Sequence, residues 1–317
     1  YILNTPSPDI GILVGKVHGG KLSIENCFVS GVIEAGGKYK TDAGGLIGYV
    51  TDGSNVTIRS SYANARIKNA GSDSFVGGFI GLAGGIVKIE NCYAIPDIRT
   101  GEHIGGFSGA GNGTVIRNSY AAGESLPAGI VAGDTSGLAE MGTIQNSVSI
   151  FPEMTSVNRI SKGGTLSGNY GFVGTTASDK SGNILTPKTE NVGKDQPYGA
   201  DASEAWLKSE EFYKDTLGWD FGDVWTMPSA ESGYMFPVLK EQKESMIPTL
   251  SLDMDPSVIS ISLDQQQATL YPRGSLKLRA RVESKNGASR DVKWVSSDPA
   301  AVHVTDDGTV AVHKDAA

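Results

Sequence analysis

Four histidines, two cysteines and a few regularly placed acids have the most scope for chemistry in this 317-residue chain. His18, His103, His303 and His313 each stand without a nearby carboxylate–histidine pattern. Each therefore reads as a surface or strand residue, not as a base or a ligand. No His-Glu-x-x-His, Gly-x-Ser-x-Gly or phosphate-loop sequence occurs, and no Cys-His spacing suits zinc. Glycoside cleavage needs two carboxylates roughly 5–10 Å apart. The regularly placed acids, Glu25 and Glu90, each have an arginine at the neighbouring equivalent position, which should keep them ionised and inert. The turns Thr51-Asp52-Gly53-Ser54-Asn55 and Ser178-Asp179-Lys180-Ser181-Gly182-Asn183 lack the spaced acids of a calcium loop and read as ordinary turns. No catalytic, cofactor-binding or metal-binding residue is expected, and no cofactor. The chain reads as non-enzymatic.

The elements that would hold such residues come from an internal repeat. Gly44-Gly45-Leu46-Ile47-Gly48 is echoed at 11–15, 77–81, 105–109 and 129–133. Each block is followed by a strand-like stretch: Leu22 to Val29, Val56 to Ala63, Val87 to Ala94, Thr114 to Ala121 and Gly142 to Ser149, with a fading copy from Gly164 to Gly171. Aligned, these copies stack Ile24, Ile58, Ile89, Ile116, Ile144 and Leu166 in one column, with Leu22, Val56 and Val87 two residues earlier. Period two belongs to a strand, and one copy holds too few apolar groups for a core of its own. Copies must stack as a solenoid.

The adjoining columns set the register. Glu25, Arg59, Glu90, Arg117 and Gln145 alternate in charge, as parallel in-register coils about 4.8 Å apart require if like charges are to be avoided. Asn26, Ser60, Asn91, Asn118 and Asn146 follow, at a bend where asparagine tolerates left-handed backbone. Phe28, Tyr62, Tyr93, Tyr120 and Tyr170 form an aromatic column broken by Val148; it reads as internal packing, with an outward glycan-stacking platform as the alternative. Steps along the asparagine column (26, 60, 91, 118, 146, 168) are too long and uneven for hexapeptide coils. A right-handed parallel β-helix with three short strands per coil fits best.

The Gly-Gly-Leu-Ile-Gly block followed by Ile-x-Asn-Cys-Tyr-Ala resembles the GLUG motif of repeat arrays in bacterial surface proteins, over roughly residues 10–175. The first and fifth copies depart from it, with Ile12 and Ile130 in place of the second glycine. The resemblance implies an extracellular adhesin-like or surface-enzyme accessory region and no catalytic residue.

A net charge of −8 disfavours nucleic acid and anionic membranes as partners, and no apolar run approaches the ~18 residues of a membrane span. The start at Tyr1 reads as a fragment of a longer precursor. Cys27 and Cys92 share a column two coils apart, about 9–10 Å at strand spacing. A disulfide needs Cα atoms within ~7 Å, so both are expected to be free.

Residues 172–200 lose the columns, though strands are expected to persist there. Asp201-Ala202-Ser203-Glu204 resembles a capping box before one or two short helices reaching Leu217. Trp206, Trp219, Trp225 and Phe236 then crowd one short stretch, so 193–246 reads as a cap for the open solenoid end, with a carbohydrate site as the alternative. After Pro248, short alternating stretches at 258–261, 276–282, 293–295, 302–304 and 310–312, with an Asp306-Asp307-Gly308-Thr309 turn, read as a sandwich. Tyr271-Pro272-Arg273-Gly274, Trp294-Val295-Ser296-Ser297-Asp298-Pro299 and Asp307-Gly308-Thr309-Val310-Ala311 resemble a bacterial group 2 immunoglobulin-like domain over about 257–317. That resemblance implies a stalk or adhesive module, here lacking the family's final strand.

The expected organisation is all-β: a β-helix over 1–192, a cap with short helices over 193–246 and a truncated Ig-like sandwich over 247–317. The expected role is adhesion or display on a bacterial surface, with glycans or host matrix proteins as partners. Loops 31–42 and 65–74 are the expected contact surfaces. A β-helix polysaccharide lyase or glycoside hydrolase, or an accessory region of a larger surface enzyme, is the alternative.

Overall fold

The computed structural model describes residues 2–3, 8–35, 40–68, 70–71, 73–127, 135–286 and 288–313. They form two compact units, Tyr1–Met254 and Asp255–Ala317.

The first unit is a parallel β-solenoid. One wall is a six-stranded sheet of Gly20–Glu25, Ser54–Arg59, Ile86–Glu90, Thr114–Arg117, Thr143–Gln145 and Thr165–Ser167. Every adjacent pair is parallel, and Ile24, Ile58, Ile89, Ile116, Ile144 and Leu166 lie opposite one another in turn. The charged column keeps the same register, with Arg59 between Glu25 at 3.8 Å and Glu90 at 3.2 Å. All three side chains are well exposed, so each pair adds at most about 1 kcal/mol.

The corner after this wall is left-handed. Asn26, Ser60, Asn91, Asn118 and Asn146 have φ of 51°, 44°, 53°, 47° and 48°, and Gly168 completes the column at 67°. This geometry turns each N–H onto the next coil: Asn91 donates to the Arg117 carbonyl and Asn118 to that of Gln145. In the following column Ser119 Oγ donates to the Arg117 carbonyl and accepts the Cys92 N–H, so a buried corner stays satisfied.

The glycine blocks form two further walls, so each regular coil has four strands and not three. One is Asp9–Gly11, Asp42–Gly44, Phe75–Gly77, His103–Gly105 and Thr135–Ser136; the other is Val14–Val17, Ile47–Val50, Ile80–Ala83 and Ser108–Ala110. The paired glycines break one sequence block into two strands at a bend too tight for a side chain. A Cβ on Gly45 would lie 2.1 Å from the Gly78 carbonyl oxygen, and one on Gly78 2.0 Å from that of Gly106. The block at 129–133 falls outside the described residues.

The fourth wall is an eight-stranded sheet of Ile2–Leu3, Phe28–Ala35, Tyr62–Lys68, Tyr93–Ile98, Tyr120–Ala122, Val148–Ile150, Tyr170–Phe172 and Ala200–Ala202. Period two sends Ala63, Ala65, Ile67, Ala94 and Ala121 into the coil interior and the tyrosines outward. Tyr62, Tyr93 and Tyr120 are nonetheless buried, and Phe28 and Tyr170 are half-buried. Residues 203–254 fold back along this flank, laying Leu207, Phe212, Trp219, Trp225 and Phe236 on Tyr62, Tyr93 and Tyr120.

The stretch before that cover closes the end of the array. Asn169 N–H donates to the Lys194 carbonyl, Gly168 N–H to Asp195 Oδ1 and Ile160 N–H to the Pro197 carbonyl. The helix Glu204–Leu207 is capped by Ser203, whose Oγ accepts the Trp206 N–H. Asp201 is not the cap; its carboxylate is drawn to the buried Arg159 instead. Within 172–200, the stretch that had lost its columns, the strand Thr176–Ala177 persists, and Ala200–Ala202 begins at its end.

The second unit is antiparallel. Ser257–Leu263 pairs with Ala280–Lys285 across an irregularity between Val258 and Ser260, and Thr309–Val312 lies between Ser275–Lys277 and Val302–Val304. The turn at Asp306–Thr309 has Gly308 at φ 82°. Residues 293–295 form no strand; the Trp294 ring instead packs on Gly308, where an added Cβ would meet it at 3.0 Å.

Candidate binding surface

The outer face of the tyrosine sheet changes character along each strand. Its first row is aromatic and covered. Two residues on stand Asn64 and Ile95, and two further on Arg66 and Asp97, which are cross-strand partners. Beyond Trp225 the cover thins to a strap at 245–250, packed through Ile247 and Leu250. Gln242 seats this strap: its Oε1 accepts the Tyr93 hydroxyl at 2.6 Å and its amide donates to the Met246 carbonyl at 2.7 Å.

A groove lies on each side of the strap. One, of about 380 Å³, is lined by Phe28, Val29, Ser30, Tyr62, Asn64 and Ser245–Thr249. The other, of about 340 Å³, is lined by Asn64, Arg66, Ile95, Pro96, Asp97, Arg99, Gly123, Glu124, Ser125 and Pro248–Leu250. Both are of small-ligand size. In the second, Asp97 holds two arginines, Arg66 Nε at 2.5 Å from Oδ2 and Arg99 Nε at 2.5 Å from Oδ1. Two guanidinium groups beside an amide and hydroxyls suit a polar ligand.

Sequence spacing alone missed a histidine–carboxylate pair. His103 Nδ1 lies 3.2 Å from Glu140 Oε2, its ring stacks on Phe75 at 4.4 Å, and Glu140 Oε1 lies 3.3 Å from Lys162 Nζ. The pair joins different coils, which is why no local pattern announced it. His18, His303 and His313 are exposed. On the same glycine wall Asp42 is buried beside its cross-strand neighbour Asp9. Desolvation pushes the Asp42 carboxyl up to about 6, against the opposing pull of Lys40 at 3.7 Å. This buried acid had no sequence signal.

The other candidates are structural. Cys27 and Cys92 are both free, Cys27 half-buried and Cys92 fully buried, where burial pushes its thiol up to about 12. Asp179 closes its own turn, accepting the N–H groups of Ser181 and Asn183. In the two stretches expected to be contact loops, Gly31–Ala35 and Ala65–Lys68 are instead strand, because their alternating residues continue the tyrosine sheet. Trp206 remains 48% exposed, stacked on Phe212 at 5.5 Å.

Residues 257–316 match the family of bacterial Ig-like domains (group 2). No curated protein and no solved structure matches the chain significantly. The Ig-like domain keeps Leu276, Val282, Val302, Val304 and Val310 half-buried and presents charged residues between them, as alternating sandwich strands do. No helix among the described residues is long and apolar enough to cross a membrane.

Proposed function

We propose that this chain is a non-catalytic region of a bacterial cell-surface protein, extracellular in location, which binds glycans or matrix proteins or displays a distant domain. The observation that carries the reading is one chain joining a long parallel solenoid, grooved on its outer face, to a bacterial Ig-like domain. Solenoids present extended surfaces on a rigid repeat, which suits contact with polymeric partners. The repeats' resemblance to the GLUG motif supports the same setting. The net charge of −8 argues against nucleic acid or an anionic lipid surface as the partner.

Screening the whole chain against a glycan array and a panel of matrix proteins tests this. Selective binding that weakens when Arg66 and Arg99 are replaced supports adhesion through the groove. Binding to neither set removes adhesion and leaves display alone.

One observation favours a second reading, a polysaccharide-cleaving enzyme. Asp42 is a buried acid beside Asp9, and a carboxyl with a raised pKa can donate a proton to a leaving oxygen. Release of reducing ends from a polysaccharide panel, abolished in Asp42→Asn, would support that reading. No release from any member would remove it.

A further inference from the structure

We infer that the groove beside the strap binds an acidic saccharide, with Arg66 and Arg99 taking its carboxylates. This rests on the adhesion reading and names the ligand class for it.

Three observations lead there. Arg66 and Arg99 each engage Asp97 through Nε, and neither has a second protein ion pair among the described residues. Their Nη groups therefore keep donors for an incoming oxyanion, on side chains that Asp97 holds in place. The two guanidinium-bearing side chains remain 52% and 57% exposed, so an occupant can reach them.

The rest of the lining selects among anions. Glu124 stands in the same groove and, with Asp97, balances the two arginines. A dense polyanion meets that carboxylate as well as the chain's net charge of −8. A saccharide of lower charge density meets less of that repulsion, and Asn64, Ser125 and Thr249 offer its hydroxyls partners. An extended peptide fits less well. Tyr62–Lys68 is paired on both sides, and the stretch of Tyr93–Ile98 that lacks a second partner beyond Ala94 carries Pro96, which has no N–H to offer an added strand.

The test is affinity electrophoresis and calorimetry of the full chain with polygalacturonate, dextran and heparin at low and high salt. The inference expects polygalacturonate to bind, more weakly at high salt, and dextran not to bind. The double variant Arg66→Gln, Arg99→Gln should lose about tenfold or more in affinity with an unchanged thermal melt. Equal binding of dextran, or equal or tighter binding of heparin, overturns the ligand class. Polygalacturonate binding that ignores the double variant overturns the site while leaving adhesion standing. No binding of polygalacturonate overturns the inference, whereas failure of the wider array and matrix screen as well removes adhesion itself.

Discussion

The guanidinium of Arg159 lies 3.9 Å from the centre of the Tyr198 ring, with the whole arginine side chain buried. Around it the carbonyls of Phe172, Tyr198, Gly199 and Ala200 and the Asp201 carboxylate all accept its N–H groups. One cation thus ties the last coil to the segment that closes the solenoid. A buried charge is stable only with such a full set of partners. Arg159→Met should cost about 1–3 kcal/mol, because it removes the donor to the Tyr198 carbonyl, whereas the Phe172 and Gly199 carbonyls keep Thr175 and Gly193. A urea midpoint indistinguishable from wild type would show that the closing segment holds without it.

The left-handed corner makes a sharper demand. Asn118 sits at φ 47°, where a β-branched side chain costs about 1–2 kcal/mol. Asn118→Val should lose about that much stability, while Asn118→Gly should stay within a few tenths of a kcal/mol of wild type. Chemical denaturation of both variants decides it; equal losses would mean that the side chain, not the backbone angle, matters there.

The strap hangs on residues 93 and 242. Tyr93→Phe leaves the Gln242 oxygen without its donor in a buried place, a loss of about 1–3 kcal/mol. The effect should be local as well as global, with faster tryptic cleavage at the exposed Lys243. Unchanged cleavage alongside unchanged stability would refute the anchoring role.

Thiol chemistry should separate the two cysteines. Without reductant, unfolded protein should take two alkylating groups. Folded protein should react at Cys27 well before Cys92, which burial both shields and keeps protonated. No modification of the unfolded chain would mean a bridge, and a different stacking.

Asp42 gives the solenoid a pH dependence of defined sign. An unfolded aspartate titrates near 3.9, the folded one near 6. Between these values the folded state holds the extra proton, so stability falls as pH rises from about 4 to about 6 and then levels. The fall is at most about 3 kcal/mol. Asp42→Asn should flatten it, as melting curves across that range would show. A variant with the wild-type slope would place the titrating group elsewhere.

Much of the solenoid could be read from its letters. Isoleucine over isoleucine, Glu25 over Arg59 over Glu90, and asparagine at a left-handed bend all repeat with the coil, so each column samples one local geometry several times. Such repetition turns a weak residue preference into a readable pattern. The glycine pairs were legible as corners, but their split into two strands depended on how closely neighbouring coils approach, as Gly45 against Gly78 shows.

What tertiary structure alone decided are contacts made once. The clasp of Arg159 on Tyr198, the Tyr93–Gln242 bond, the His103–Glu140 pair and the groove between Arg66, Asp97 and the strap each join segments with no shared pattern. The tyrosine column was visible as a column, yet its burial depended on the chain's later return along that flank. Local sequence encodes a period because every coil repeats the same backbone. It does not encode a meeting that depends on where a later segment comes to rest.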